Sequence, residues 1–162
     1  MPRIFGVHAK APLTNLAAYT AVVGGGGTLS YNNVLFERDG GDLVITGSFT
    51  TGTPTATLAT MSLPPGLAID PSRAPIVQAT GSPGPNIGSW YQIGPSGQGA
   101  MTTALTTSAS VVYFCNQPQN GNLVPINATS IWNAGQLVSV AVRVPIVGWS
   151  ADDVLRPDGT KI

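Results

Sequence analysis

The chain is short of the residues on which most catalytic and nucleic-acid-binding proteins depend. It contains one histidine, His8, and one cysteine, Cys115. Lys and Arg together number 7, balanced by 7 Asp and Glu, and charged residues make up 9% of the chain, against about 25% in an ordinary soluble domain. Each shortage closes a class of function. Without a basic excess nothing neutralises a phosphate backbone, so nucleic acid is not an expected partner. A single cysteine forbids an internal disulfide and with it a staple-dependent secreted scaffold. Flanked by Val111, Val112, Tyr113 and Phe114, Cys115 reads as a small buried hydrophobe with no evident base beside it. There is no run of 18 apolar residues, so no transmembrane helix and no membrane partner are expected. Pro2, Arg3, Lys10 and Pro12 interrupt the stretch where the apolar region of a signal peptide would lie.

The same scarcity bears on chemistry. A Ser-His-Asp or Cys-His mechanism needs a histidine beside an orienting group, and His8 lies near the N-terminus, outside the predicted folded body. Glycosidic cleavage needs two carboxylates facing each other in a cleft. Glu37, Asp39, Asp42, Asp70, Asp152, Asp153 and Asp158 instead fall at turns, where Asp bonds its own backbone. No Cys/His cluster or calcium-loop spacing is present. The glycines at 24–27, and Gly94, Gly97 and Gly99, do not join a strand to a helix as a phosphate cradle would. The Asn127-Ala128-Thr129 sequon matters only in a secreted eukaryotic setting. The expectation is a protein that is not an enzyme, with no catalytic residue, metal or cofactor.

What is present is strand. The chain of 162 residues is 43% apolar, enough for one domain with a core of its own. Its 14 prolines and 20 glycines interrupt every stretch long enough for a helix. Leu43 to Thr50 alternates, with Leu43, Ile45 and Phe49 on one face and Val44, Thr46, Ser48 and Thr50 on the other. Val34 to Arg38 precedes it, and Asp39-Gly40-Gly41-Asp42 supplies the positive φ that a hairpin needs. Further strands are predicted at Thr55 to Leu63, Ile76 to Thr80, Ser89 to Ile93, Ala100 to Thr107, Ser110 to Cys115 and Gln136 to Ile146. The last of these, with Val138, Val140, Val142, Val144 and Ile146 on one side, is placed centrally. Short strands at this spacing predict an all-β fold, an antiparallel β-sandwich of jelly-roll type or a barrel, with the length favouring the sandwich.

Residues 1–28 differ in kind. They read as an N-terminal arm ending in a glycine hinge, with residues 29–162 forming the sandwich. Leu13, Leu16, Tyr19, Val22 and Val23 give the arm an apolar surface for docking, either on a neighbour or back on its own domain. Among possible binding groups only the aromatic residues stand out. Trp90 with Tyr91, and Trp132 with Asn133, have the ring and amide that stack on and hydrogen-bond a sugar, although large rings more often fill a sandwich interior.

Phe36 to Phe49 (FERDGGDLVITGSF), followed by Gly52, Thr53, Pro54 and Thr55, resembles the opening hairpin of β-sandwich modules in bacteriophage tail fibres, tailspikes and capsid decoration proteins. Ser62 to Asp70 (SLPPGLAID) is similar to their LP-x-G-x-x-ID turn, and Val142 to Ser150 (VRVPIVGWS) to their VPI-x-GWS ending. The resemblance spans about Leu35 to Ser150 and implies homotrimers on the outside of a virion, with no catalytic residues to carry over. Pro145 and Gly148 would end the last strand and Trp149 would cap the sandwich.

A tail-fibre module would be expected at the end of a longer chain with a trimeric shaft, and no heptad or fibrous repeat is present here. The chain therefore looks most like a trimeric capsid cement protein, assembled in the host cytoplasm. Its partners would be its own copies and the major capsid protein on the outer capsid surface. Zero net charge suits such close packing. The alternative is a distal tail-fibre or tailspike module that binds a receptor or a host surface glycan.

Overall fold

The computed structural model describes residues 17–74, 86–92, 97–102, 109–115, 123 and 125–149. His8, Leu13, Leu16, the strand expected at Ile76 to Thr80, Gly94, and the acidic residues Asp152, Asp153 and Asp158 lie outside the described residues. Within them the fold is all-β and antiparallel, as the alternating pattern requires. The strands are β1 (Ala17–Tyr19), β2 (Val23–Gly24), β3 (Tyr31–Asp39), β4 (Asp42–Thr50), β5 (Thr60–Ser62), β6 (Gly88–Gln92), β7 (Gln98–Thr102), β8 (Val111–Phe114) and β9 (Leu137–Pro145). One 3-10 turn at Ala128–Ser130 interrupts the final loop.

Hydrogen bonding joins these strands into a single sheet in the order β1-β3-β4-β9-β6-β7-β8-β5-β2. They are not divided between two separate sheets. Strands β1 and β2 stand at its opposite ends, yet only residues 20–22 lie between them. Three residues span at most about 10 Å, so the sheet must curl until its edges meet. The seam is visible in its bonds. The Tyr19 hydroxyl donates to the Ser62 carbonyl at 3.0 Å. The Val22 amide donates to the Ser62 hydroxyl at 3.0 Å, and the Ser62 amide to the Val22 carbonyl at 2.9 Å. Residues 17–24 thus act as one closing strand, bonded to β3 on one side and to β5 on the other. Joining the edges removes the exposed backbone that an open sheet would offer for aggregation.

This corrects the boundary expected at residue 28. The glycine run is a packed turn and not a hinge. The Gly26 amide bonds the Val23 carbonyl, and its own carbonyl accepts from Gly52 at 2.8 Å. Gly27 has φ +67°, and a Cβ there would stand 2.4 Å from the Thr53 carbonyl oxygen. Composition alone reads four glycines as flexible. Here they let two backbones approach too closely for any side chain.

Alternation places the core as the sequence suggests. Leu43, Ile45 and Phe49 on β4, and Val138, Val140, Val142 and Val144 on β9, are buried inside the curl. β9 lies between β4 and β6, the internal position its valines call for. β3 and β4 pair in full register from Tyr31↔Thr50 to Asp39↔Asp42, closed by Gly40 at φ +61°. The strand expected from Thr55 to Leu63 is shorter. Thr55 and Thr57 are engaged elsewhere, the Thr55 amide on the Gly25 carbonyl and the Thr57 carbonyl with the Ala128 amide, both at 2.9 Å.

Candidate functional site

The two ends of the curled sheet differ in chemistry. All seven charged residues among the described ones, Glu37, Arg38, Asp39, Asp42, Asp70, Arg73 and Arg143, lie toward the end formed by the β3–β4 turn, residues 62–74 and the exit of β9. The Asp42 carboxylate is held between two guanidinium groups. Arg73 Nη2 donates to Oδ1 and Arg143 Nε to Oδ2, each at 2.9 Å. Arg143 Nη1 also reaches Asp39 at 2.6 Å, and this hydrogen bond raises the arginine pKa above its ordinary value. Arg73 Nη1 donates to the carbonyls of Gly41 at 3.0 Å and Trp149 at 3.2 Å. Arg38 lies 4.9 Å above the Trp149 ring, a cation–π contact. Asp70 accepts from the Ser72 hydroxyl at 2.7 Å and the Ser72 amide at 2.9 Å. These bonds, led by the hydroxyl, hold its carboxyl below the ordinary carboxylate range.

This end is also where the three motif segments meet. Ile69 bridges Ile146, the Asp70 amide donates to the Pro145 carbonyl and the Val147 amide to the Ala68 carbonyl, both at 2.9 Å. Gly41 accepts from Ile146 at 3.2 Å. β9 ends at Pro145, Gly148 follows at φ +77°, and Trp149 packs half-buried against the core. The turn carboxylates therefore act as local caps and ion-pair partners. Among the described residues no group of His, Cys, Asp or Glu is placed to hold a metal ion.

Elsewhere the described surface carries no charge. The outward rows across β3, β4, β9 and β6 are Asn33-Ser48-Ser139-Tyr91 and Leu35-Thr46-Ala141-Ser89. The Glu37-Val44-Arg143 row bounds them at the charged end. Tyr91 is 54% exposed and Tyr31 46%. The opposite end of the sheet carries Thr28, Ser30, Thr53, Thr55, Thr57 and Asn133, all exposed apart from the half-buried strand ends beside them.

The residues expected to bind are scattered. Of the arm residues described, Val23 is buried, Tyr19 is half-buried against Phe36, with ring centroids 5.5 Å apart, and Val22 alone is 68% exposed. Burial also raises the Tyr19 pKa. They close the sheet and do not form a free apolar face. Trp90 and Trp132, expected as possible sugar platforms, are 2% and 3% exposed and face inward, so neither ring is available for stacking. Trp132 lies edge-on to Phe49 and Phe114, with centroids 5.7 and 4.8 Å away. Trp90 owes its place to glycine. A Cβ at Gly99 would stand 2.4 Å from the indole nitrogen, which instead donates to the Cys115 carbonyl at 2.8 Å. Tyr91 and Asn133 are exposed, on different parts of the surface. Cys115 is buried as expected, and burial pushes its thiol up to about 12.

Sequence reasoning passed over three positions. Arg73 gave no local signal because its acceptors are about 30 and 76 residues away. Thr51 is buried and ties its segment to residues 133–136 through its hydroxyl. Gln92 is fully buried, and neither amide atom has a protein partner. Its polarity in an inward position was the available signal. Compared with family models, with curated proteins and with solved structures, the chain matches none.

Proposed function

We propose that the protein is a structural component of a bacteriophage virion, a homotrimeric cement protein that docks on the outer capsid surface and reinforces the shell. The observation that carries this reading is the segregation of charge. With the described charges gathered at one end, the sheet face across β3, β4, β9 and β6 is a continuous uncharged surface of small hydroxyl and apolar side chains flanked by Tyr31 and Tyr91. Burying such a face desolvates no ion, which is the dominant obstacle to close packing between subunits. The resemblance of the hairpin, SLPPGLAID and VRVPIVGWS segments to phage virion modules supplies the setting. Their convergence at one end is consistent with a module defined by that junction.

Locating the chain in a reconstruction of the particle tests the proposal, and density at the tail alone would refute it. Because residues 17–24 close the sheet, the attachment test removes only residues 1–16. Loss of capsid attachment from a folded trimer assigns adhesion to that segment, and retained attachment assigns it to the sheet face.

A second reading, glycan binding, retains one supporting observation. Tyr91 is exposed in the same outward row as Ser139 and Ser48, which sets a ring beside hydroxyl groups. A glycan array comparing the protein with Tyr91→Ala tests it. Equal signals from both proteins count against that reading.

A further inference from the structure

The inward row nearest the uncharged end of the sheet consists of Asn32, Phe49, Val138 and Gln92, aligned by register across β3, β4, β9 and β6. Two of these four side chains are amides and two, Phe49 and Val138, are apolar. Gln92 has no exposed surface, and neither its Nε2 nor its Oε1 meets a protein partner. Asn32 donates through Nδ2 to the Ala21 carbonyl at 2.9 Å, while its Oδ1 is buried and unpartnered. Trp132, edge-on to Phe49 of the same row, buries an unpartnered indole Nε1. The contrast with Trp90, whose indole nitrogen is bonded to Cys115, shows that this fold can satisfy a buried indole.

Buried polar atoms are nearly always bonded, and each orphan costs about what a lost hydrogen bond costs. Here four such atoms lie in or beside one layer, two of them on Gln92, with Asn32 three strand spacings from it. Leucine at position 92 would fill a similar volume without that penalty, so the amide calls for a role other than packing. Two of the atoms are donors, Gln92 Nε2 and Trp132 Nε1, and two are acceptors, Asn32 Oδ1 and Gln92 Oε1. The complement of the Gln92 amide is an uncharged group that both accepts and donates, and no described charge lies at this end to favour an ion.

One segment adjoins Phe49 of this row. Trp132 leads into residues 133–136, which are latched to Thr51. The Thr51 hydroxyl donates to the Asn133 carbonyl at 2.7 Å and accepts from the Gln136 amide at 3.1 Å. Backbone bonds from Gly135 to the Thr51 carbonyl and from Thr51 to the Gln136 carbonyl complete the latch.

We propose that the uncharged end of the curled sheet is a binding site for a small neutral group bearing paired hydrogen-bond donors and acceptors, a carboxamide or a vicinal diol, and that Trp132 is its plug. The closed form leaves both atoms of the Gln92 amide unpaired. Displacing the Trp132 segment admits a ligand that pairs the Gln92 amide, as a barrel mouth accommodates ligands generally. The site is independent of the capsid reading.

Nuclear magnetic resonance of the full chain tests it by following the Gln92 side-chain amide and the Trp132 indole N–H during titration with acetamide and, separately, with ethylene glycol. The expected result is saturable movement of both signals with at least one probe, and the responding probe identifies the ligand chemistry. Gln92→Leu should abolish the Trp132 response and raise the Tm of the ligand-free protein by roughly 2–6 °C. Immobility of both signals with both probes overturns the proposal, including the case in which only bound water shows cross-peaks to them. A lowered Tm for a folded Gln92→Leu overturns it too, since the amide would then already be satisfied. The wild-type titration stands whether or not the variant folds.

Discussion

The two ends of the sheet hold together by different means. At the charged end, side chains bind segments far apart in sequence. Arg73 joins the β3–β4 turn to Trp149, and Arg143 reaches Asp39 across 104 positions. At the uncharged end, neutral groups and aromatic edges do that work, with Phe49, Phe114 and Trp132 in mutual contact and Thr51 as a buried hydroxyl latch. The charged end is nevertheless the more completely satisfied. Every unpartnered buried side-chain atom found among the described residues belongs to Asn32, Gln92 or Trp132, at the other end. Few charges, when gathered in one place, can neutralise one another and serve as crosslinks. Neutral amides placed in a core have no such long reach and depend on what is next to them.

This contrast can be broken by substitution at either end. The largest effect is expected from Phe49→Ala, which removes the ring shared by Phe114 and Trp132 and should cost about 3–5 kcal/mol, read by urea denaturation. Thr51→Val keeps shape but leaves the Gln136 amide without its acceptor, for about 1–3 kcal/mol. Hydrogen exchange should then quicken at Gly135 and Gln136 and stay unchanged at Ile146 and Val147. Arg73→Ala at the charged end should cost about 1–2 kcal/mol, the ion pair contributing least because it is partly exposed. Its exchange pattern should be the reverse, with Ile146 and Val147 quickening. If both variants loosen both ends equally, the ends are not separate units and the comparison fails.

Titration gives the smallest effects. The folded Asp70 carboxyl ionises below its unfolded value, so its contribution is complete above the unfolded pKa and disappears as pH falls through the folded one. Acid unfolding should therefore show a component below about pH 4 that Asp70→Asn abolishes. At the other extreme, Cys115 is held protonated to about 12. Its contribution is complete below the unfolded thiol pKa and declines as pH rises above it. A maleimide reagent at pH 8 should label Cys115 at the rate of unfolding, and fast labelling of the native chain would show that the site is open.

Much of the sheet was legible because alternation is a local property. The inward sets of β4 and β9, the hairpin at Gly40 and the burial of Cys115 follow from neighbours two or three residues away. The glycine run and the two tryptophans were less legible for a common reason. Whether four glycines are a hinge or a packed turn depends on Thr53, more than twenty residues on, and whether Trp90 faces outward depends on the space left by Gly99. The arm residues were assigned by their apolarity, which is the same for a strand that closes its own sheet and for one that docks on a neighbour.

The sequence by itself determined the all-β class, the strand faces, the position of β9 and the scarcity of charge. These are set by side-chain period and composition. Only the tertiary structure decided that the edges of the sheet meet through residues 17–24, that the described charges share one end, and that Gln92, Asn32 and Trp132 fall in or beside one unsatisfied layer. Each depends on register between strands distant in the chain, and register is fixed by packing across the curl, for which a single sequence carries no local mark.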